Sequence, residues 1–250
     1  MRATAVLCAV LLATTSAAGG PAGQLGAEDD DVDLQLVLAV DISGSMDGNE
    51  ARFQRQGYVE AFRHPDVLDA IRSGPHGRIA ITYMEWSSAT HQVVVIPWRV
   101  VSNEAELLDL ADDLSRASLV RGGRTSISGG LLHAARAFSV SGVTSKRRAI
   151  DISSDGVNND GLPTPFARDL VVGQGITING LPILITSYAG LDLYFEENVI
   201  GGPGAFVIPV TSRADFIPAI RRKLVLEIAG RQPSPSEGGP LRRVSHPMDE

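Results

Sequence analysis

Between residues 34 and 230 short apolar runs alternate with amphipathic stretches, and this alternation restricts the fold more than any other feature. Residues 34–40 read Leu-Gln-Leu-Val-Leu-Ala-Val. A run so short and so apolar suits a strand covered on both faces, as at the centre of a parallel sheet. Residues 49–63 have a helical pattern, with Phe53, Gln56, Tyr58 and Phe62 spread around the helix. Residues 78–86 and 91–98 are β-rich, and the short link Ser87-Ser88-Ala89-Thr90 makes them a hairpin. Residues 104–116 are an amphipathic helix with Leu107, Leu108, Ala111 and Leu114 on one side. Residues 126–140 are another, with Ile127, Leu131, Ala134 and Phe138 in step. A strand at 147–153 and a short helix at 166–173 follow.

Residues 176–187 allow two readings. Asn179-Gly180 is either a hairpin turn or the interior of one buried strand, and the apolar run at 181–185 favours the strand. A last strand is expected at 205–209 and a closing helix at 212–229, with Pro218 in its first turns. The expected class is therefore α/β. A doubly wound, mostly parallel sheet carries one antiparallel edge strand and has helices on both faces. In such sheets ligands bind in the crevice at the carboxyl ends of the strands.

The 250 residues suffice for one sizeable core. The formal net charge of −7 argues against nucleic acid and anionic membranes as partners. Residues 1–18 read as a signal peptide: Arg2, an apolar stretch at 4–13, then Ser16-Ala17-Ala18 before a cleavage site. Cys8, the single cysteine, falls inside it, so the mature chain has no thiol or disulfide to form. That suits an exported bacterial protein, periplasmic or secreted. No later stretch has the length and apolarity of a transmembrane helix. Residues 19–33 read as a glycine-rich acidic linker, 34–230 as one domain and 231–250 as a disordered tail.

Three loop segments carry chemistry. The first strand runs into Asp41-Ile42-Ser43-Gly44-Ser45. One carboxylate and two hydroxyls form a hard-oxygen set suited to Mg²⁺ or Mn²⁺. Read singly, the segment is equally a polar helix cap. Thr125 follows Gly122-Gly123-Arg124 at a loop-to-helix junction and by itself reads as an N-cap. Asp155 lies in Ser154-Asp155-Gly156 after the strand at 147–153 and by itself reads as a turn aspartate. The expected topology brings all three to one sheet edge. Asn158, Asn159 and Asp160 come next and read either as an extension of the site or, the favoured reading, as an exposed turn.

Asp-x-Ser-x-Ser, a threonine after a glycine pair and Ser-Asp-Gly, in that order, resemble the metal-ion-dependent adhesion site of von Willebrand factor A domains. The resemblance spans roughly residues 33–230 and extends to a bacterial secreted branch of that family without an assigned function. It implies the family's Rossmann-like fold. It also implies that Ser43, Ser45 and Thr125 contact a Mg²⁺ or Mn²⁺ ion, with Asp41 and Asp155 holding it mostly through water. A partner protein's acidic residue fills the remaining coordination position. The chain departs from the pattern at Arg124, where the familiar form has glycine beside the threonine. Arg121 and Arg124 are expected to help draw in an acidic partner.

The expectation is a binding module and not an enzyme. The chain has no serine with glycines two before and two after it, no histidine pair at ligand spacing and no phosphate-binding glycine fingerprint. Two alternatives remain: a Mg²⁺-dependent phosphoester hydrolase and an envelope scaffold with a vestigial metal site. The hydrolase would want a second acid two residues after a nucleophilic Asp41, where Ser43 stands, or a second metal within about 4 Å. Oligomeric state is not legible.

Overall fold

The computed structural model describes residues 31–44, 48–185 and 189–233. The expected signal peptide, the linker through residue 30, Ser45, positions 186–187 of the expected strand region and the tail from 234 lie outside these residues.

Five strands form one sheet in the order β3-β2-β1-β4-β5. β1 (Gln35–Asp41) pairs in parallel with both β2 (Ile79–Trp86) and β4 (Arg148–Ser154), and β4 pairs in parallel with β5 (Thr177–Pro182). β3 (Gln92–Val101) is antiparallel to β2 and forms the edge. The class is therefore as expected: α/β, mostly parallel, with one antiparallel edge strand. Every residue of β1 is buried, because helices cover both faces of the sheet.

One face is packed by α1 (Gly48–Phe62), α2 (Pro65–Arg72), α3 (Glu104–Arg116) and α7 (Phe216–Ala229). The other is packed by α4 (Ile127–Ala137), α5 (Thr164–Val172) and α6 (Leu191–Tyr194). The two-residue period of β1 separates the cores. Leu36, Leu38 and Val40 join the first, while Val37 and Ala39 join the second.

Several boundaries differ from the sequence reading, each for a physical reason. α2 was not anticipated. Its start is marked by Pro65 in the first turn and by His64, whose ring nitrogen accepts from the Asp66 N–H. The expected helix at 126–140 stops at Ala137 and finishes as a 3₁₀ turn, Phe138–Val140. Asn179 and Gly180 lie inside β5, as the favoured reading had it, and a side chain on Gly180 would collide with Phe195. The expected strand at 205–209 is reduced to isolated parallel bridges, Gly180 with Val207 and Ile183 with Val210. Pro209 has no N–H to give a ladder there. Residues 31–33, assigned to the linker on composition, are part of the fold. Val32 is buried, and the Asp33 carboxylate accepts from the His76 and Arg78 N–H groups.

Candidate metal centre

The strand order reverses about β1, so the loops after β1 and β4 open a crevice between them at the carboxyl edge. Asp41 is the last residue of β1 and Asp155 follows the last residue of β4. The two residues are 0% and 4% exposed. One Asp41 oxygen accepts from the Ser43 N–H at 2.7 Å, the other from the Ser154 hydroxyl at 2.5 Å. Neither donor carries a charge. Burial pushes the Asp41 carboxyl up to about 7, the two serine contacts oppose that rise, and the neighbouring Asp155 charge adds to it. Burial of this kind is relieved when the carboxyl takes up a proton or meets a cation.

The hydroxyls come from opposite sides of the crevice. Thr125 Oγ1 donates to Ser43 Oγ at 3.1 Å, and both residues are buried. Thr125 is not the helix cap. That role belongs to Ser126, whose hydroxyl accepts from the Gly129 N–H and leaves the Thr125 hydroxyl for the crevice. Two glycines let the loops approach this closely. The Gly44 N–H donates to the Gly123 carbonyl at 2.7 Å, and a Cβ on Gly44 would lie 2.7 Å from that same oxygen. A Cβ on Gly122 would overlap the Ser87 hydroxyl. A larger residue at Gly44 would push apart the threonine loop and the loop after β1, and one at Gly122 would push the threonine loop off Ser87 beyond β2.

The structure thus brings together Asp41, Ser43, Thr125 and Asp155, while Ser45 lies outside the described residues. Two carboxylates and two hydroxyls are acceptors fit for a hard divalent cation. The fully buried Asp41 carboxylate, met by uncharged serine donors and set beside a second buried acid, is the observation that fits them to one. The 158–160 segment differs from the exposed turn expected of it. Asn159 Oδ1 accepts from the Thr125 N–H at 3.0 Å, and the Asn159 N–H donates to the Thr125 carbonyl at 2.8 Å. Asn158 Oδ1 accepts from the Ser128 N–H, and an Asp160 carboxylate oxygen accepts from the Ala89 N–H. These residues hold the threonine loop. The only sequence signal for them is a cluster of Asx residues next to Ser-Asp-Gly. Arg121 and Arg124 stand exposed on the same loop. Trp86 is fully buried, and Trp98 packs its ring on Phe138, so both tryptophans serve packing.

No curated protein matches the chain in sequence. Solved structures share its fold at low identity. The pilus adhesin SpaC from Lactobacillus rhamnosus GG is 15% identical, with a TM-score of 0.58 over 79% of this chain and 30% of that one. A von Willebrand factor type A protein from Catenulispora acidiphila is 13% identical, with a TM-score of 0.56 over 79% and 43%. Proximal thread matrix protein 1 from the mussel byssus, in a structure with a zinc-occupied MIDAS motif, is 18% identical, with a TM-score of 0.55 over 79% and 46%. The chain therefore spans less than half the length of each of these proteins, and what it shares with them is the von Willebrand factor A fold. A family model described as protein of unknown function DUF1194 matches residues 31–232, and the chain belongs to that family.

Proposed function

We propose that the chain is an exported, divalent-metal-dependent protein-binding module. In this reading Asp41, Ser43, Ser45, Thr125 and Asp155 hold Mg²⁺ or Mn²⁺, and a partner's acidic residue completes the shell. The observation that carries the reading is the contact between the Ser43 and Thr125 hydroxyls beside the buried Asp41 and Asp155 pair. When bound, the cation would supply positive charge beside Asp41 and Asp155 and a coordination position for a carboxylate oxygen. Ser154 and the Ser43 N–H orient Asp41, Asn159 seats Thr125, and the glycine loops hold the hydroxyls near the carboxylates. Likeness in fold to a pilus adhesin and to a zinc-holding byssus protein supports binding over turnover. So does the position of Ser43 where a phosphoester hydrolase with a nucleophilic Asp41 would want a second acid. Among the described residues no helix is long and apolar enough to cross a membrane.

Titration calorimetry with Mn²⁺ on the mature protein tests the site. One ion per chain is expected, with binding abolished in an Asp41→Ala/Asp155→Ala variant. Unchanged binding in that variant would overturn the assignment. No metal-dependent turnover of generic phosphoesters is expected, and its appearance would favour the hydrolase.

Arg121 and Arg124 add positive charge beside the site on a chain of net charge −7. Charges more than about 8 Å away are largely screened at physiological salt, so this local field should dominate at the approach of an acidic group. Replacing both with serine should slow association of a Mg²⁺-dependent ligand at low salt and leave its dissociation rate unchanged. Equal association rates across a salt series would remove the steering role.

A further inference from the structure

A cavity of about 160 Å³ adjoins the candidate metal centre, and Asp155 lines its edge. Its walls are apolar. Phe53 comes from α1, Phe216 from the start of α7, and Ile183 and Ile185 from the chain just past β5. The two phenylalanine rings lie 5.2 Å apart, tilted by 53°. At the rim Glu50 and Arg213 face each other at 3.8 Å, with the Arg213 side chain 64% exposed. A void of roughly 150 Å³ lined by Leu, Ile and Phe is large enough for benzene. This cavity therefore has room for one aromatic or large aliphatic side chain.

We propose that the cavity is a specificity pocket for the partner, resting on the metal-bridged reading above. The occupant is an aromatic or large aliphatic side chain, within about three residues of the carboxylate that reaches the metal. Three observations select it. Asp155 borders both sites, so a chain lying over one lies over the other. About three residues of extended chain reach roughly 10 Å, the scale of a step between adjoining sites. Arg213 at the rim is paired with Glu50, whereas Arg52 and Arg121 flank Gly48 at the start of α1 and give the approach a positive side that complements an acidic segment. The metal site then selects the charge and the cavity selects the neighbouring residue.

The test uses the mature full chain in Mg²⁺ to select from a displayed peptide library with one fixed glutamate. Selected peptides should share an aromatic or large aliphatic residue at one constant offset from the glutamate. Changing that residue to alanine should lower affinity about 10- to 100-fold on the wild-type protein. It should have little effect on an Ile185→Trp variant, which fills the cavity. Ile185 is only partly buried and lies beyond β5, so circular dichroism and an unaltered Mn²⁺ isotherm should certify that variant. Mg²⁺-dependent peptides without any apolar preference would overturn the pocket and leave the metal reading standing. Selected peptides that bind equally in EDTA would overturn the metal reading and the pocket with it, as would a library yielding no binder. Dimerisation abolished by Ile185→Trp would assign the cavity to a second copy and overturn the proposal.

Discussion

Thr125 shows how a single side chain acquires a role from its surroundings. Its N–H and carbonyl are both engaged by Asn159, and the cap of α4 is supplied by Ser126, so its hydroxyl is left to meet Ser43. A group that orients a metal ligand typically carries a 10- to 100-fold share of metal affinity. Asn159→Ala should therefore weaken Mn²⁺ binding by about that factor while the melting temperature changes little, since position 159 is exposed. Calorimetry beside thermal melts checks this, and wild-type affinity in the variant would show that the loop is held without it. Asp41, Thr125 and Asp155 were legible because their order and loop chemistry are written locally. Asn159 was not, because its contact joins positions 34 apart and no spacing rule links them.

At the scale of elements, α7 carries charges that a pattern reading assigns to solvent. Phe216, Ile220, Leu224 and Ile228 form its apolar face, as their spacing indicates. Lys223 and Glu227 are buried as well. The Lys223 ammonium lies 2.6 Å from Asp151 on β4 and 2.5 Å from Glu227, and Asn179 on β5 donates to the same Glu227 oxygen. One cation faces two carboxylates. Burial, with the Asp151 charge adding to it, pushes the Glu227 carboxyl from 4.5 up to about 8 against the opposing effect of Lys223. The folded state therefore holds a proton there that the unfolded chain releases. This contribution to stability is full below about pH 4.5 and is lost as the pH rises through about 8. Glu227→Gln keeps the shape and removes the titration. Its melting temperature relative to wild type should climb as the pH is raised from 5 to 8. A difference independent of pH over that range would mean that Glu227 is ionised throughout in the fold. α1 is a similar case. Gln54 donates to Ser153 on β4, and Arg55 bonds Glu85 on β2, so buried polar residues seat the helix and blur its periodicity.

For the whole molecule, the apolar mass lies on the two faces of the sheet, whereas the candidate metal centre is made of loops at one edge. Folding should therefore not depend on the metal. Far-ultraviolet circular dichroism of the protein in excess EDTA should keep its α/β shape. Metal should add stability by mass action alone, about 2.7 kcal/mol at a hundred times Kd. An unfolded spectrum in EDTA would make the ion a structural one.

Alternation of apolar runs with amphipathic stretches determined the class of fold, the buried central strand and the antiparallel edge, because strand and helix periodicities are local properties of a chain. The order of Asp41, Ser43, Thr125 and Asp155 likewise determined which oxygens are available for chemistry. Tertiary structure decided the rest. It made Ser126 and not Thr125 the cap, turned 158–160 into a brace for the threonine loop, and placed Lys223 against Asp151 in the core. It also hollowed the apolar cavity beside Asp155 from three separate stretches of chain. Each of these rests on pairing between distant segments, and the free energy of burying a polar group depends on which partner arrives to meet it.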